Sequence, residues 1–466
     1  MRRLIDWLVV NEGLILILAL VFILRIPSWY EPYWYGDEGI YLTLGEGLRR
    51  GMVWYRDLHD NKPPLLYLLA AISGNVFYFR ILLTLAFGAA VAVFFKLMKL
   101  LLPKSEKSWY LSTLSLIILT TVFEGNIANA EIFMVLPTLM GMWLILSGKK
   151  LVKAGFYFSL AALLKVPAGF DWLAAFLFKP SLRLLLGFSV PILLTLVYYA
   201  VVGGFTPYLR SALLQNVGYL SSWGGSNQGL MWRGVGLAAG LTTLWILTKR
   251  WRLESKFKLI TFWFLLALFG ALLSARPYPH YLIQPAVPAA ILLGYFMAKK
   301  QLKLRAIIAS LFLVSAAAYI QIGFWHYPIL KYYQNFLSYA FGQKDQLNYW
   351  RYFDPRVPQT YALADYLKET TMPNELVFIW GDEPAVYALA KRLPPGRYTT
   401  AYHVVDFNGY EETVAALTAN PPRVIIKLAY ESRPFPELEA KIAKEYVYAA
   451  QIDQAVVYRY LNGNTD

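Results

Sequence analysis

The chain has no cysteine and only four histidines. The lack of cysteine excludes a disulfide framework and any metal site built on thiolates. Charged residues are also scarce, at 16% of the sequence, whereas soluble globular domains carry about 25%. Hydrophobic residues make up 58% and are gathered in long runs. The sequence therefore indicates a membrane protein rather than a chain of soluble domains.

The apolar runs predict a polytopic α-helical membrane protein. Runs of roughly the 17–25 residues that a bilayer requires occur near 12–28, 77–101, 108–123, 131–147, 184–203, 232–248, 259–274, 281–298 and 305–325. Two shorter arms, 154–164 and 168–178, predict a hairpin with Lys165 and Asp171 near its tip. Together these give about eleven spans. The first run is followed by no small-residue cleavage site, so we interpret it as an uncleaved span rather than a signal peptide.

The distribution of basic residues predicts the topology. The formal net charge is +15, and most cations lie in short clusters between the apolar runs, near 96–107, 149–153, 179–183, 249–258 and 299–305. The positive-inside rule assigns these loops, and the N-terminus with Arg2 and Arg3, to the cytoplasm. The loops 29–76, 124–130, 204–231 and 275–280 and the tail after 325 are then external. No basic patch remains for a nucleic acid, so none is expected as a partner.

The tail differs from the rest of the chain. Residues 326–353 are rich in aromatic residues and predict a linker at the membrane interface. Residues 354–466 predict a small extracytoplasmic α/β domain with a parallel or mixed sheet. Its strands are expected at 376–380, 398–405, 424–428 and 456–461, and its helices near 362–368 and 384–393. The division is thus 1–325 for the membrane domain, including the first external loop 29–76, then the linker, then the α/β domain.

The first external loop carries the most informative residues. Asp37 and Glu38 stand side by side, ahead of a segment, 40–50, whose spacing predicts an amphipathic helix along the membrane surface. The helix dipole favours acids at that position. Loop acids are usually only solvated, and Lys62 alone fits a snorkelling residue. However, Pro63 and Pro64 fix the backbone after Lys62 and are expected to hold its ammonium at the membrane edge, a position suited to contact with a lipid phosphate.

Further polar residues are predicted on the same side of the membrane. Together they predict an outward cavity lined by acids and cations, which suits an anionic headgroup and also provides a base. They are Arg80, Glu124, Asn126, Asn129, Glu131, Lys165, Arg276 and His280.

These residues resemble those of a known family. The acids Asp37-Glu38, the helix after them and the run 60–64 (Asp-Asn-Lys-Pro-Pro) resemble the first external loop of GT-C glycosyltransferases. The similarity is greatest to the aminoarabinose-transferase and protein-mannosyltransferase-like group. It continues at Glu131, at Lys165 in its hairpin, at the segment from Arg276 to Tyr281, and at 376–381 in the tail.

The resemblance implies an inverting glycosyltransferase in the plasma (inner) membrane. It implies that a sugar moves from a polyprenyl-phosphate donor to an extracytoplasmic lipid, glycan or protein. Asp37 would be the general base, with Glu38 and Glu131 as further catalytic acids. The donor phosphate would contact Lys62, Arg80, Lys165, Arg276, His280 and Tyr281. No metal is expected to be required, although Glu131 is also compatible with a divalent cation.

Three other functions fit parts of the pattern. A transporter or flippase of lipid-linked sugars would share the spans and a cationic cavity, but many such folds have two related halves, and we find no internal repeat. A membrane polymerase or ligase of polysaccharide also uses polyprenyl donors, without this first-loop pattern. A non-catalytic scaffold would tolerate the loss of Asp37, which separates it from an enzyme.

Overall fold

The computed structural model describes residues 12–148, 150–215, 227–274 and 276–461. The cations Arg2, Arg3 and Lys149, which enter the topology prediction, lie outside these ranges. Contacts divide the chain into two units. The first comprises Met1–Ser28, Arg80–Tyr198 and Leu213–Ile329, and the second comprises Trp29–Phe79, Tyr199–Ala212 and Leu330–Asp466.

The elements up to residue 322 are helical throughout the described part of the chain. They are α1 Glu12–Tyr30, α2 Gly36–Arg49, α3 Leu65–Ser73, α4 Val76–Leu101, α5 Glu106–Val122, α6 Ala130–Phe133, α7 Val135–Leu146, α8 Leu151–Leu164, a 3₁₀ turn Val166–Ala168, α9 Gly169–Phe178, α10 Leu182–Val201, α11 Phe205–Tyr208, a π-helical turn Leu209–Leu214, α12 Asn227–Arg250, α13 Ser255–Leu272, a 3₁₀ turn Pro279–Leu282, α14 Ile283–Ala298 and α15 Leu302–Ile322.

The C-terminal elements mix helices and strands. They are α16 Ile329–Ala340, α17 Gln346–Arg351, α18 Val357–Thr370, β1 Val377–Trp380, α19 Ala385–Ala390, α20 Ala401–Asp406, α21 Tyr410–Ala419, β2 Val424–Leu428, α22 Pro436–Glu445, β3 Tyr446–Ile452 and β4 Ala455–Tyr460.

Seven helices in the described residues are long and apolar enough to cross a membrane, and the chain is a multi-pass membrane protein. Shorter apolar helices cover Ala130–Leu146, Leu151–Leu164 and Val166–Phe178. The last two form the predicted broken hairpin, with Lys165 at its tip between α8 and the 3₁₀ turn. The helix α5 has 17 residues and is shorter than the seven, so the number of about eleven spans stays a prediction.

A four-stranded mixed sheet forms the centre of the C-terminal part of the second unit. Its order is β1-β2-β4-β3, with β1 and β2 parallel and the other pairs antiparallel. Both faces are covered: Val377 and Ile379 pack in one core cluster, and Phe378 and Trp380 pack in the other. A strand covered on both faces is a continuous apolar run, which explains why β1 was predictable.

One predicted strand of this domain is wrong, and one strand was missed. Segment 398–405 was expected to be a strand because it contains Tyr, Thr and Val. Instead α20 begins at Ala401, and Ala401 and Val404 are buried together in one core cluster. Ala401 and Val404 are three residues apart, so in a helix both side chains face the core, and this packing outweighs the β-propensity of the segment. The strand β3 was missed, although it begins with an apolar run, Tyr446–Ala450; most of its side chains are exposed in the structure.

Candidate active site

The helix α2 places the two acids of the first external loop. It begins at Gly36 rather than at 40, so Asp37 and Glu38 lie within its first turn. Residues from Glu38 to Gly45 are buried against other elements of the same unit, and the location of this helix along the membrane surface stays a prediction. Two close approaches explain this burial. A Cβ on Gly39 would lie 2.7 Å from the backbone nitrogen of Ala385, and a Cβ on Gly45 would lie equally close to the backbone of α3.

Asp37 is held by an ammonium and a phenol. The Nζ of Lys62 lies 3.3 Å from Asp37 Oδ2, and the Tyr41 hydroxyl donates a 2.9 Å hydrogen bond to the same oxygen. The Lys62 Nζ also lies 4.9 Å from the centre of the Tyr41 ring. Burial and the Asp37 charge raise the pKa of Tyr41 well above its usual value, so this hydroxyl stays protonated and donates. A carboxylate and an ammonium group are therefore adjacent, and the role of Asp37 as a base stays a prediction.

Asp60 and two tyrosines hold Lys62 in place. The Tyr67 hydroxyl donates to Asp60 Oδ2 at 3.0 Å, and Asp60 Oδ2 lies 3.8 Å from Lys62 Nζ. The backbone of Lys62 is bonded as well: its N–H donates to Tyr67 Oη, and its carbonyl accepts from Tyr55 at 2.7 Å. Asp60 is 1% exposed. Hydrogen bonds thus hold the backbone of Lys62, and the carboxylate of Asp60 holds its ammonium group.

A histidine of the C-terminal domain completes this cluster, and no pattern in the sequence indicates it. His403 Nε2 lies 3.9 Å from Asp60 Oδ1, and its ring centre lies 5.2 Å from that of His59. Burial, followed by the positive charge of Lys62, lowers the pKa of His403 to about 3. Burial also lowers the pKa of His59 well below its usual value. Both imidazoles are therefore neutral beside the Asp60–Lys62 pair. We call Asp37, Tyr41, Asp60, Lys62, Tyr67 and His403 the first-loop cluster.

A second cluster lies in the first unit. Lys165 forms an ion pair with Glu131 Oε1, and His280 Nε2 lies 3.6 Å from the same oxygen. His280 Nδ1 lies 3.0 Å from Glu124 Oε2. The Lys165 Nζ is 4.0 Å from the centre of the Tyr281 ring. Four of the predicted site residues, Glu131, Lys165, His280 and Tyr281, thus converge with Glu124; we call these five the membrane cluster.

A buried acid fixes the elements that carry the membrane cluster. Asp171 accepts from Trp263 Nε1 at 2.6 Å and from Gln284 Nε2 at 3.0 Å. Gln284 also donates to the carbonyl of Pro167. These bonds join the hairpin next to Lys165 to α13 and to the helix that follows His280. An acid buried among membrane helices needs such partners.

The remaining predicted residues have other described contacts. Arg80 is fully buried, and its Nη1 donates to the Ser28 carbonyl at 3.0 Å. The backbone N–H of Arg276 donates to Ser274 Oγ at 3.5 Å. Their roles at a phosphate stay predictions, as does the single cavity predicted for all these residues. Within the described ranges, no group of three or more His, Asp or Glu side chains is arranged to hold a metal ion, and the metal requirement stays untested.

Comparison with known proteins shows a likeness of fold. No family model matches the sequence, and no curated protein matches it. The structure matches that of ArnT from Cupriavidus metallidurans bound to undecaprenyl phosphate, with a TM-score of 0.57 and 12% identity, over 97% of this chain and 99% of that chain. The apo structure of the same protein matches with a TM-score of 0.54 and 11% identity, over 97% and 98%. The fold is therefore ArnT-like, as the first-loop resemblance implied.

Proposed function

We propose that the chain is an inverting glycosyltransferase that uses a polyprenyl-phosphate sugar as donor. The observation that carries the proposal is the Asp37–Lys62 pair at the start of α2, in a fold like that of an ArnT crystallised with undecaprenyl phosphate. A general base beside a phosphate-binding cation is what this reaction requires.

The proposed chemistry is a single displacement. Asp37 accepts the proton of the acceptor hydroxyl as its oxygen forms a bond to the anomeric carbon. The bond from that carbon to the phosphate oxygen breaks, and its electron pair leaves with the polyprenyl phosphate. Lys62 stabilises the charge that develops on this phosphate. In this scheme, the donor phosphate competes with Asp37 for Lys62, so donor binding weakens the Asp37–Lys62 contact and makes the base more basic.

The membrane cluster has a supporting role in this proposal. Lys165, His280 and Tyr281 contact the donor phosphate, together with Arg80 and Arg276, and Glu131 orients the sugar or the acceptor. Glu38 assists Asp37 within the same helical turn. In this proposal the N-terminus is cytoplasmic, and both the first external loop and the C-terminal domain are outside; the positive-inside pattern of the basic loops supports this orientation. The acceptor is a lipid, a glycan or a protein of the cell envelope.

A transporter of lipid-linked sugars is the alternative, and one preparation separates the two functions. The purified full-length chain is reconstituted in liposomes that contain a panel of polyprenyl-phosphate sugars. Release of polyprenyl phosphate with transfer of sugar to an added acceptor supports the enzyme. Movement of the intact lipid-linked sugar between leaflets, without transfer to any acceptor tested, supports the transporter and contradicts the proposal.

A further inference from the structure

A basic cleft lies in the first unit where three helices meet. It has a volume of about 530 Å³ and lies between the start of α8, the end of α9 and the start of α10. Four of its lining residues are cations: Lys150, Lys153, Lys179 and Arg183. The topology prediction assigns this end of the helices to the cytoplasmic side, so the cleft is independent of the proposed reaction.

Two glycines bring the cations together. A Cβ on Gly187 would lie 2.1 Å from the carbonyl oxygen of Val152, and a Cβ on Gly155 would lie 2.3 Å from the carbonyl oxygen of Leu184. The backbones of α8 and α10 therefore touch near their first turns, as only glycine permits. This contact places both helix starts beside the same cleft.

Within the part of the chain that the structure describes, no carboxylate neutralises the charge of the cleft. Among the described residues, none of the four cations forms an ion pair with a carboxylate. Basic residues elsewhere at helix ends do find partners; for example, Lys299 pairs with Glu254 at 2.6 Å.

The helix starts add to the positive potential. The residue that precedes α8 provides no side-chain hydrogen bond to its first turn, so no side chain caps the backbone N–H groups there. The positive dipole ends of α8 and α10 add to the four charges. The chemistry of the cleft is that of a phosphate site.

Apolar side chains on α8 and α10 are exposed next to the cleft. Val152 is 51% exposed, Leu182 is 69% exposed and Leu186 is 48% exposed. In a membrane protein such side chains contact acyl chains. A ligand that satisfies both features has a phosphate headgroup and apolar chains, which distinguishes a lipid from a soluble phosphate.

We propose that this cleft binds the phosphate headgroup of an anionic phospholipid, with the acyl chains along α8 and α10. The alternative is that the four cations only determine the orientation of these helices in the membrane. That alternative requires cations in the loop but no convergence on one cleft, and it predicts no preference for a particular lipid. Anionic lipid attraction adds about 1 kcal/mol per basic residue, which corresponds to about fivefold in affinity.

The test is lipid binding to the purified full-length chain, measured by native mass spectrometry with phosphatidylglycerol and with phosphatidylcholine. We expect the wild type to retain phosphatidylglycerol preferentially. Lys153→Gln and Arg183→Gln should each weaken this binding about fivefold. Lys249→Gln and Arg250→Gln, at the end of α12, are matched controls and should leave it unchanged. Single changes leave three cations in the cleft, so the topology is preserved.

Three outcomes overturn the proposal. Equal retention of both lipids would show that no headgroup is selected. Equal weakening by the control substitutions would show a general effect of charge. If inorganic phosphate at millimolar concentration displaced phosphatidylglycerol and bound as strongly as the lipid, the ligand would be a soluble phosphate. If Arg183→Gln fails to fold, the exposed Lys153 carries the test alone.

Discussion

Lys62 and Asp37 form an ion pair, with 3.3 Å between Nζ and Oδ2. Both side chains are partly buried, with 20% of Lys62 and 31% of Asp37 exposed. An ammonium beside a carboxylate lowers its basicity. In the proposed reaction, the negative phosphate of the donor draws Lys62 away, so the base becomes active when the donor is in place.

Loss of Lys62 is predicted to reduce catalysis far more than stability. Lys62→Ala removes the charge that stabilises the leaving phosphate, so kcat/KM for the donor should fall about 100-fold or more. The measurement is steady-state sugar transfer at varied donor concentration. Lys368→Ala is the control, because Lys368 is exposed and forms an ion pair with the exposed Asp365. An unchanged donor dependence in Lys62→Ala would remove this residue from the phosphate site.

The packing of α2 on α19 is predicted to depend on Gly39. Gly39→Ala places a Cβ against the backbone of Ala385, which cannot move as a side chain would, so it should destabilise the protein by about 1–3 kcal/mol. Gly36→Ala, in the same helix, has nothing within 4 Å of its Cβ and should be tolerated. Thermal unfolding in detergent compares the two. Equal melting temperatures would contradict the close packing.

The stability of the protein is predicted to fall as the pH drops below 7. His403 has a pKa of about 3 in the folded protein and about 6.5 when unfolded. Only the unfolded state binds the proton between these values, so the contribution of His403 is fully present above pH 6.5 and is lost as the pH falls toward 3. At pH 5 the loss from this residue is about 2 kcal/mol.

Replacement of His403 tests this pH dependence. His403→Gln cannot take up the proton, so its melting temperature should change less between pH 7 and pH 5 than that of the wild type. His326→Gln is the matched control, because His326 is exposed and should leave the pH dependence intact. The same dependence in wild type and His403→Gln would show that His403 is not buried as a neutral imidazole.

The Glu131–Lys165 pair is predicted to be coupled. Their side chains are 4% and 19% exposed, so Lys165→Met leaves Glu131 buried without its counter-charge and should cost about 3 kcal/mol. The double change Lys165→Met with Glu131→Gln should be less destabilised than Lys165→Met alone. Thermal unfolding of the four proteins gives the coupling. Strictly additive effects would mean that the two residues do not stabilise each other.

The sequence predicts the parts of this structure that depend on local patterns. Apolar runs locate the long helices, and the two short arms around Lys165 locate the broken hairpin, because length and composition determine membrane insertion. The residues around Asp37 and Lys62 were found because both belong to the first external loop, 29–76. Their pairing needed only that this loop fold back on itself.

The rest depends on contacts between distant segments. His403 lies 343 positions after Asp60 in the chain (403 − 60), and no local pattern marks it as a neighbour. The burial of α2 was missed for the same reason: the helix that packs against it, α19, belongs to a distant segment of the chain. Glu124 and His280 were both predicted to line the outward cavity, but no local pattern showed that these two side chains contact each other. Local amphipathicity describes a helix but not the partner that covers it.

The most direct measurement compares sugar transfer by the wild type and by Asp37→Asn, with the same polyprenyl-phosphate sugar and acceptor. Asp365→Asn, an exposed acid of the C-terminal domain, is the control for removing one carboxylate. We predict that Asp37→Asn folds and keeps its melting temperature within a few degrees but loses transfer by about 100-fold or more. Transfer by Asp37→Asn at the rate of the wild type would contradict the assignment of Asp37 as the base.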